Sequence, residues 1–474
     1  MHEMTLEQVA KAVGGEVYGD PGTKVTSVST DSRQVSQSAL FCAIVGEKTD
    51  GHEHISQAMV SGAVASLVTK QSQEPCVVVP MGTEELDGVI IALGRLAAFE
   101  RTLLNAQVIG VTGSSGKTTT KDMIGQVLST AGKVHAPAGS PNNELGLPLT
   151  ILTAPIDSDF IVAEMGMRGI GHIEYLCDIA KPTIGVVTNV GHAHVGEVGS
   201  VQEIAQAKSE LPRSLPKEGL AVLNADDPNV IAMAANVSSR VLTYGLSAKS
   251  DVQGQNISTN ERGEVSFTLC YRDEKIAVQL PLLGEHNVSN ALSASAVAID
   301  AGLSLHQIAD ALENLIQKSK WRMQVERLDL GVTLINDAYN ANPESMAAAL
   351  KTLAGLAPNG RTWAVLGEMA ELGPDALEEH DRVGRLIVRL NISQLVTVGQ
   401  GARTMFLAAN QEGSWDGESV WFPDFSQACD YIIDRVEIGD TILFKASRSA
   451  GFELLAQAVQ EQLIANWTQK GSHK

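Results

Sequence analysis

Short apolar runs alternate along this chain with segments whose apolar positions recur every three or four residues. The first pattern reads as buried strands and the second as amphipathic helices. In residues 1–102, Val25–Ser29, Ala39–Val45 and Ala65–Val68 are strand-like, and Ile55–Ser61 is helix-like and stopped by Gly62. Between 103 and 318 the runs at 107–111, 159–164, 184–189 and 220–224 alternate with helical stretches, among them Lys121–Ala131. Such alternation predicts a mostly parallel sheet with helices on both faces, and ligands beyond the carboxyl ends of its strands. From 251 to 283 the texture changes to strict alternation. Val265–Leu269 and Ile276–Leu280 flank Arg272-Asp273-Glu274, which predicts an antiparallel hairpin, with helical runs at 287–301 and 304–317 following. The strand–helix rhythm restarts in 319–474, with strands at Val332–Asn336, Trp363–Leu366, Leu395–Val398 and Thr441–Phe444. The cut near Ser319 and Lys320 rests on that restart, since no Gly/Pro linker marks it.

At 474 residues the chain exceeds one ordinary core, in keeping with three domains. Its 44% hydrophobic and 19% charged residues are a globular composition. No apolar run of about 18 residues occurs, so no membrane span is expected. The start lacks a basic stretch followed by an apolar one, so no secretory leader is expected. Cys42, Cys76, Cys177, Cys270 and Cys429 are scattered without a C-x-x-C, the usage of reduced thiols in a cytoplasm. The net charge of −20 argues against nucleic acid as a partner. Anionic substrates would then need local cations, and Lys117, Arg33, Arg322 and Arg448 are candidates.

The segment Gly110-Val111-Thr112-Gly113-Ser114-Ser115-Gly116-Lys117-Thr118-Thr119-Thr120 joins an apolar strand to a helix. Glycines let backbone N–H groups close around phosphate oxygens, the helix N-terminus and Lys117 add positive charge, and Thr118 can hold Mg²⁺. This marks the 103–318 unit as a P-loop ATPase-type domain. The spacing is Thr-Gly-x-x-Gly-Lys-Thr, with Val111 where the strict Walker form has Gly. The Asn-Lys-x-Asp of guanine-specific proteins is missing; Thr188-Asn189-Val190-Gly191 occupies a comparable place, so ATP is favoured.

Other polar residues sit at strand ends. Phe160–Glu164 closes on a carboxylate, either a Mg²⁺ ligand facing the loop or a solvated strand end. His192 and His194 follow the next strand; they lack the cysteines or His-Glu-x-x-His of a zinc site, and His194 is a candidate at Mg²⁺ or phosphate. Lys208 lies on a helical run. It is either a solvated cation or, if buried and neutral, able to take up CO₂ as a metal-binding carbamate. Asn287 and Asn290 open a helix and share a face, as caps or as groups that read adenine edges. Asp337-Ala338-Tyr339-Asn340-Ala341-Asn342-Pro343 and Lys445-Ala446-Ser447-Arg448-Ser449 end strands of the last domain, as ligand sites or as ordinary turns and caps.

Together these residues resemble the Mur ligases, ATP-dependent amide ligases of peptidoglycan precursor synthesis. The glycine loop, Glu164, Asn189…His194, Lys208, the Gly-x-His-Asn-x-x-Asn at 284–290 and Asp337…Asn342-Pro343 occur in the family's order, over essentially the whole chain. Asp31-Ser32-Arg33…Leu40-Phe41…Gly46-Glu47…Asp50-Gly51-His52 resembles the two later-acting members. The Asp-Asn/Asp-Pro-Arg motif of the third-residue-adding member is missing. Leu366-Gly367-Glu368-Met369-Ala370-Glu371-Leu372-Gly373 with His380, and Asn142-Asn143-Glu144-x-Gly146-x-Pro148, resemble the dipeptide-adding one.

The resemblance implies a UDP-sugar-binding N-terminal domain (1–102), an ATP-binding central domain (103–318) and a Rossmann-like C-terminal domain (319–474). It implies ATP and two Mg²⁺ ions, with UDP-N-acetylmuramoyl-tripeptide and D-Ala-D-Ala as substrates of a cytoplasmic monomer. Gly113, Ser114, Ser115, Gly116, Lys117, Thr118 and Thr119 would hold phosphate. Thr118 and Glu164 would hold one Mg²⁺, and His194 with a carbamylated Lys208 the second. His286, Asn287 and Asn290 would line the adenine site, and Arg322 and Asp337 would reach the nucleotide. Ser32 and Arg33 would meet the UDP-sugar, Asn142 and Asn143 would bind substrate, and Tyr339, Asn340, Asn342, Ser447 and Arg448 fall to the acceptor side. Trp321 stands before Arg322 where the family often has Gly, which lowers backbone freedom there. Rival activities are third-residue addition and a folylpolyglutamate synthase-like ligation; a nucleotide-dependent switch without ligase chemistry is the rival from another class.

Overall fold

The computed structural model describes all residues except 47–48, 85, 192–194, 261, 330, 357–359, 414–417 and 472–474. Its largest sheet has nine strands, in spatial order Glu274–Leu283, Glu264–Tyr271, Val252–Thr259, Arg240–Gly245, Leu220–Asn224, Ile184–Val187, Gln107–Thr112, Phe160–Glu164 and Val134–His135. From Val252–Thr259 onward every neighbouring pair is parallel. Gln107–Thr112 lies between Phe160–Glu164 and Ile184–Val187, so the chain order reverses beside it. Ligands of a doubly wound sheet bind in the crevice at such a switch point. Val108, Ile109 and Val111 are fully buried, because helices cover both faces of a parallel sheet.

The hairpin predicted around Arg272-Asp273 is present. Glu264–Tyr271 pairs antiparallel with Glu274–Leu283, and Arg272 takes the φ of 53° that a tight two-residue turn needs. The helix after the glycine loop runs Lys117–Leu128, starting four residues before the expected Lys121. Gly116, at φ 78°, forms its N-cap, so Lys117 and Thr118 belong to the first helical turn and not to the loop.

The N-terminal sheet has five strands, ordered Glu16–Tyr18, Cys76–Val78, Ala63–Val68, Ala39–Cys42 and Ser27–Ser29. The helix Ile55–Ser61 has the expected bounds. The helix Gly88–Leu103 was not expected. It packs on Leu6–Val13 on one side and on Gly146–Leu152 and His172–Ala180 on the other, so one apolar core runs continuously from the N-terminal sheet into the central domain. A helix buried between two partners carries no single apolar stripe, and periodicity misses it.

The C-terminal sheet has six strands, ordered Gln324–Arg327, Thr333–Asn336, Thr441–Lys445, Thr362–Leu366, Gln394–Val398 and Ser419–Phe422. Only the first pair is antiparallel, and separate apolar cores fill its two faces. The two outermost strands are the ones the sequence pattern did not mark. A fourth, two-stranded sheet pairs Met4–Thr5 with Lys24–Val25, and the three larger sheets carry the α/β architecture of small N-terminal, central and Rossmann-like C-terminal units.

Candidate active site

A cleft of about 650 Å³ opens between the carboxyl ends of the central strands and the C-terminal domain. The glycine loop forms its floor. Gly113 (φ 150°) and Gly116 (φ 78°) admit no side chain, since a Cβ would fall 1.8 Å from Thr188 Oγ1 and 2.7 Å from Asn290 Oδ1 respectively. The neighbouring strand end braces the loop. Asn189 Oδ1 accepts from Ser115 N at 2.9 Å, Asn189 Nδ2 donates to Ser115 Oγ at 2.9 Å, and Thr188 Oγ1 donates to Ser115 O at 2.7 Å. Ser114 Oγ accepts from Gly191 N at 2.8 Å. Lys117 curls back so that Nζ donates to Gly113 O at 2.7 Å. Burial lowers its pKa, with Arg322 adding to the effect and Glu164 and Glu371 opposing it.

Glu164 and Thr118 meet at the foot of the loop, with Thr118 Oγ1 donating to Glu164 Oε2 at 2.7 Å. Register explains it: Glu164 pairs with Val111 across the parallel ladder, one strand from the loop. Ser140 Oγ (2.5 Å) and Asn142 Nδ2 (2.8 Å) donate to the other carboxylate oxygen. Burial penalises this carboxylate, yet Lys117, Arg322 and the Ser140 and Thr118 hydroxyls together outweigh it and hold its pKa below the usual range. Arg322 crosses from the C-terminal domain to donate to Thr118 Oγ1 at 2.6 Å, while its guanidinium stacks 4.1 Å from the Tyr339 ring centroid. Trp321 and Met323 flank it at φ 57° and 49°. The backbone therefore adopts at Trp321 the left-handed form that suits Gly, at a cost of about 1 kcal/mol for a side-chain-bearing residue.

Asp337 accepts from Met323 N at 3.0 Å and from Lys445 Nζ at 2.6 Å; Lys445 Nζ also donates to Asn340 O at 2.9 Å. Asn342 caps the helix Pro343–Ala354, and its Nδ2 reaches Ser114 O at 3.3 Å, tying this helix to the glycine loop. His286, Asn287 and Asn290 line the cleft from the helix His286–Asp300. Asn290 Nδ2 donates to Asn287 Oδ1 at 3.0 Å, and Asn290 Oδ1 accepts from Thr120 at 3.2 Å. Glu285 is the N-cap of this helix, so neither Asn serves as its cap.

Thr119, Asn142, Asn143, Tyr339 and Asn340 also line the cleft. Lys208 does not; it is 1% exposed in the helix Val201–Arg213, and burial, with Lys117 nearby, pushes its pKa well below the usual value. His192 and His194, and Glu47 of the N-terminal segment, lie outside the described residues. Ser32 and Arg33 sit apart, in the N-terminal domain. Ser32 Oγ donates to Gln57 at 3.0 Å, and Arg33 folds onto Asp31 through Nε at 2.9 Å and Nη2 at 2.8 Å. Arg448 stacks on Trp321, 4.3 Å from the ring centroid, and pairs with Glu453 at 2.6 Å. Ser447 is bonded to loop backbone, outside the cleft lining. Ser140, Lys445 and Glu344 join the site without having been singled out by role. Of these, only Lys445 stands in a segment that the sequence pattern marks, the strand end Lys445–Ser449.

Among the described residues no three His, Cys, Asp or Glu side chains converge as a ready-made metal cluster. The ionised Glu164 with the Thr118 hydroxyl still forms a two-oxygen corner under the phosphate loop, which suits a hard divalent cation completed by water and phosphate.

Comparison with known proteins agrees with this geometry. The family models described as Mur ligase middle domain, Mur ligase, glutamate ligase domain, and Mur ligase family, catalytic domain match residues 111–298, 321–448 and 24–92. The chain is 43% identical to the UDP-N-acetylmuramoyl-tripeptide–D-alanyl-D-alanine ligase of Mycobacterium tuberculosis H37Rv, over 97% of this chain and 98% of that protein. It is 33% identical to the Escherichia coli K12 protein of that name, over 97% and 99%. Its fold superposes on MurF from Acinetobacter baumannii with a TM-score of 0.87, at 30% identity over 97% and 99% of the two chains. MurF from Thermotoga maritima, solved in complex with ADP, gives 0.80 at 25% identity over 93% and 99%.

Proposed function

The chain belongs to the Mur ligase family, and we propose that within it this protein joins D-Ala-D-Ala to the peptide carboxylate of UDP-N-acetylmuramoyl-tripeptide. The products are UDP-N-acetylmuramoyl-pentapeptide, ADP and phosphate, a step of peptidoglycan precursor synthesis. The observation that carries the reading is the cleft itself. A glycine loop with Lys117 and the Thr118–Glu164 pair faces Arg322 and Asp337 of a second domain across one cavity.

A carboxylate is a poor electrophile, so it first attacks the γ-phosphate of ATP and leaves as an acyl phosphate with release of ADP. The amine of D-Ala-D-Ala then attacks the acyl carbon, the C–O bond to phosphate breaks, and the amine proton departs on phosphate. Two anions must meet in the first step. The Gly113–Thr119 backbone and Lys117 gather the charge of the triphosphate. Thr118 and Glu164 would hold a Mg²⁺ that neutralises phosphate oxygens. His194 and a carbamylated Lys208 would hold a second Mg²⁺. The burial that pushes the Lys208 pKa well below its usual value supports its carbamylation, since only a free amine adds CO₂. His286, Asn287 and Asn290 are the adenine side, and Arg322 and Asp337 the part of the nucleotide site that domain closure completes. Ser32 and Arg33 go to the UDP-sugar, Asn142 and Asn143 to substrate binding, and Tyr339, Asn340, Asn342, Ser447 and Arg448 to the acceptor side. The domains are taken as 1–102, 103–318 and 319–474. A monomer in the cytoplasm completes the reading; among the described residues no helix is long and apolar enough to cross a membrane.

Purified protein with ATP, Mg²⁺ and UDP-N-acetylmuramoyl-tripeptide should release ADP at a rate that rises on adding D-Ala-D-Ala. Equal release with and without the dipeptide would remove the ligase assignment.

A further inference from the structure

Lys121 follows Lys117 by one turn in the helix Lys117–Leu128 and is fully buried. Its Nζ pairs with Asp122 Oδ1 at 2.9 Å and donates to the carbonyl oxygens of Pro137 and, at 2.9 Å, of Gly139. An ammonium group has three donors, so all three are spent on protein. Taking a cation out of water is costly, and an apolar side chain would fill the same space without that cost. The two carbonyls are therefore what this lysine serves.

The carbonyls belong to the segment that leads to Glu164. Residues 137–143 lie between the strand Val134–His135 and the helix Gly146–Leu152, and they are irregular and half-buried or exposed, so packing alone does not fix them. Just past Gly139, Ser140 Oγ donates to Glu164 Oε1 at 2.5 Å. Asn142 Nδ2 donates to the same oxygen at 2.8 Å and to Ser140 Oγ at 3.0 Å. Glu164 Oε2 accepts instead from Thr118, on the helix that carries Lys121. One helix thus holds both sides of the carboxylate, Oε2 directly through Thr118 and Oε1 through Lys121 and the 137–142 segment. The outer ends of this chain of bonds also meet. Asp122 Oδ2 accepts from Ser319 Oγ at 2.5 Å, and Arg322, close behind Ser319, donates to Thr118 Oγ1 at 2.6 Å.

We propose that Lys121 is the positioning residue of Glu164: by holding the 137–142 segment it keeps Oε1 engaged by Ser140 and Asn142, and so presents Oε2, beside the Thr118 hydroxyl, to a divalent cation. The inference rests on the ligase reading, in which that cation is Mg²⁺, and adds to it the residue that orients the carboxylate. The last torsion of a glutamate side chain is soft, so a carboxylate without fixed donors on one oxygen turns freely. Mg²⁺ demands near-octahedral geometry and is held less well by a ligand that turns. Loss of Lys121 therefore weakens cation binding and leaves the backbone cradle for phosphate in place.

The test titrates the full chain with ADP by calorimetry, first with a chelator and then over a range of Mg²⁺ concentrations. In the wild type Mg²⁺ should tighten ADP binding. Lys121→Met should bind ADP without Mg²⁺ within about twofold of wild type, while the Mg²⁺ concentration of half-effect rises by about tenfold or more. Ser140→Ala should raise that concentration too, and the double variant should lose no more than Lys121→Met alone, because both act through one segment. Lys121→Gln, which keeps N–H donors for the carbonyls, should recover part of the loss, and it carries the comparison if thermal unfolding shows that Lys121→Met does not fold. An unchanged Mg²⁺ half-effect in a folded Lys121 variant, equal loss of ADP binding with and without Mg²⁺, or additive losses in the double variant would each overturn the proposal. A wild type whose ADP affinity ignores Mg²⁺ would overturn the cation reading beneath it, and the proposal with it.

Discussion

At the scale of single residues, the site depends on charges kept out of water. Lys117 is half-buried and Lys208 fully buried, and desolvation pushes the pKa of each down. Their roles differ because their neighbours do. The charges of Glu164 and Glu371 oppose that shift at Lys117, whereas the like charge of Lys117 adds to it at Lys208. Lys117→Ala should abolish turnover, with ATP-dependent ligation by the variant refuting the phosphate-loop role. Lys208→Ala should lose most activity and regain part of it with added short carboxylates, which would stand in for the carbamate oxygens. Full activity without rescue would take the carbamate out of the mechanism. The sequence permitted that carbamate without showing the burial it needs. Burial is a property of the packed helix Val201–Arg213 against its sheet.

Among the elements, the helix Lys117–Leu128 does two jobs. Its N-terminus forms the phosphate cradle, and its far side grips the segment that leads into the C-terminal domain. Asp122 Oδ2 accepts from Ser319 Oγ at 2.5 Å, while Gln126 exchanges bonds of 2.9 and 3.0 Å with the N–H and C=O of Ile316. The phosphate loop and the root of the C-terminal domain thus share one rigid body, and Trp321–Met323 lies just beyond it. Gln126→Ala should raise KM for ATP several-fold by loosening that root, with a stability loss of about 1–2 kcal/mol in denaturant unfolding. A stability loss with an unchanged KM would limit the clamp to a structural role. Gly116→Ala is a second element-scale case. Its φ of 78° and the 2.7 Å approach of Asn290 Oδ1 leave no room for a methyl group, so nucleotide binding should fall sharply, as read by ADP titration. The glycine loop was legible because its function needs contiguous residues in fixed spacing. The grip on Ser319 was not, since its two sides lie 197 positions apart.

For the whole molecule, burial also sets the acid limit. His135 and His380 are both pushed below the ordinary imidazole value of 6.5, chiefly by burial. Folding therefore favours their neutral forms, and the unfolded chain binds more protons. Their contribution to stability is present above about pH 6.5 and is lost as pH falls through the lower folded values. The thermal midpoint should accordingly drop between pH 6.5 and 5 more steeply in wild type than in a His380→Gln variant. Parallel curves would mean that His380 does not carry this linkage.

Much of the architecture was legible along the chain. The strand–helix alternation, the hairpin at Arg272-Asp273 and the carboxylate closing Phe160–Glu164 all follow from patterns a few residues long, and local patterns are what a sequence displays. It also determined the chemistry available, because a glycine loop with Lys117 and Thr118 has few other uses. Tertiary structure alone decided which polar groups would meet. It buried Gly88–Leu103 between two domains, set Lys445 against Asp337 and Ser447 against the Glu368–Ala370 backbone, and brought Glu371 into the cleft that Lys117 lines. Those partners are far apart in sequence. Their pairing and their protonation follow from the desolvation that only the folded chain imposes.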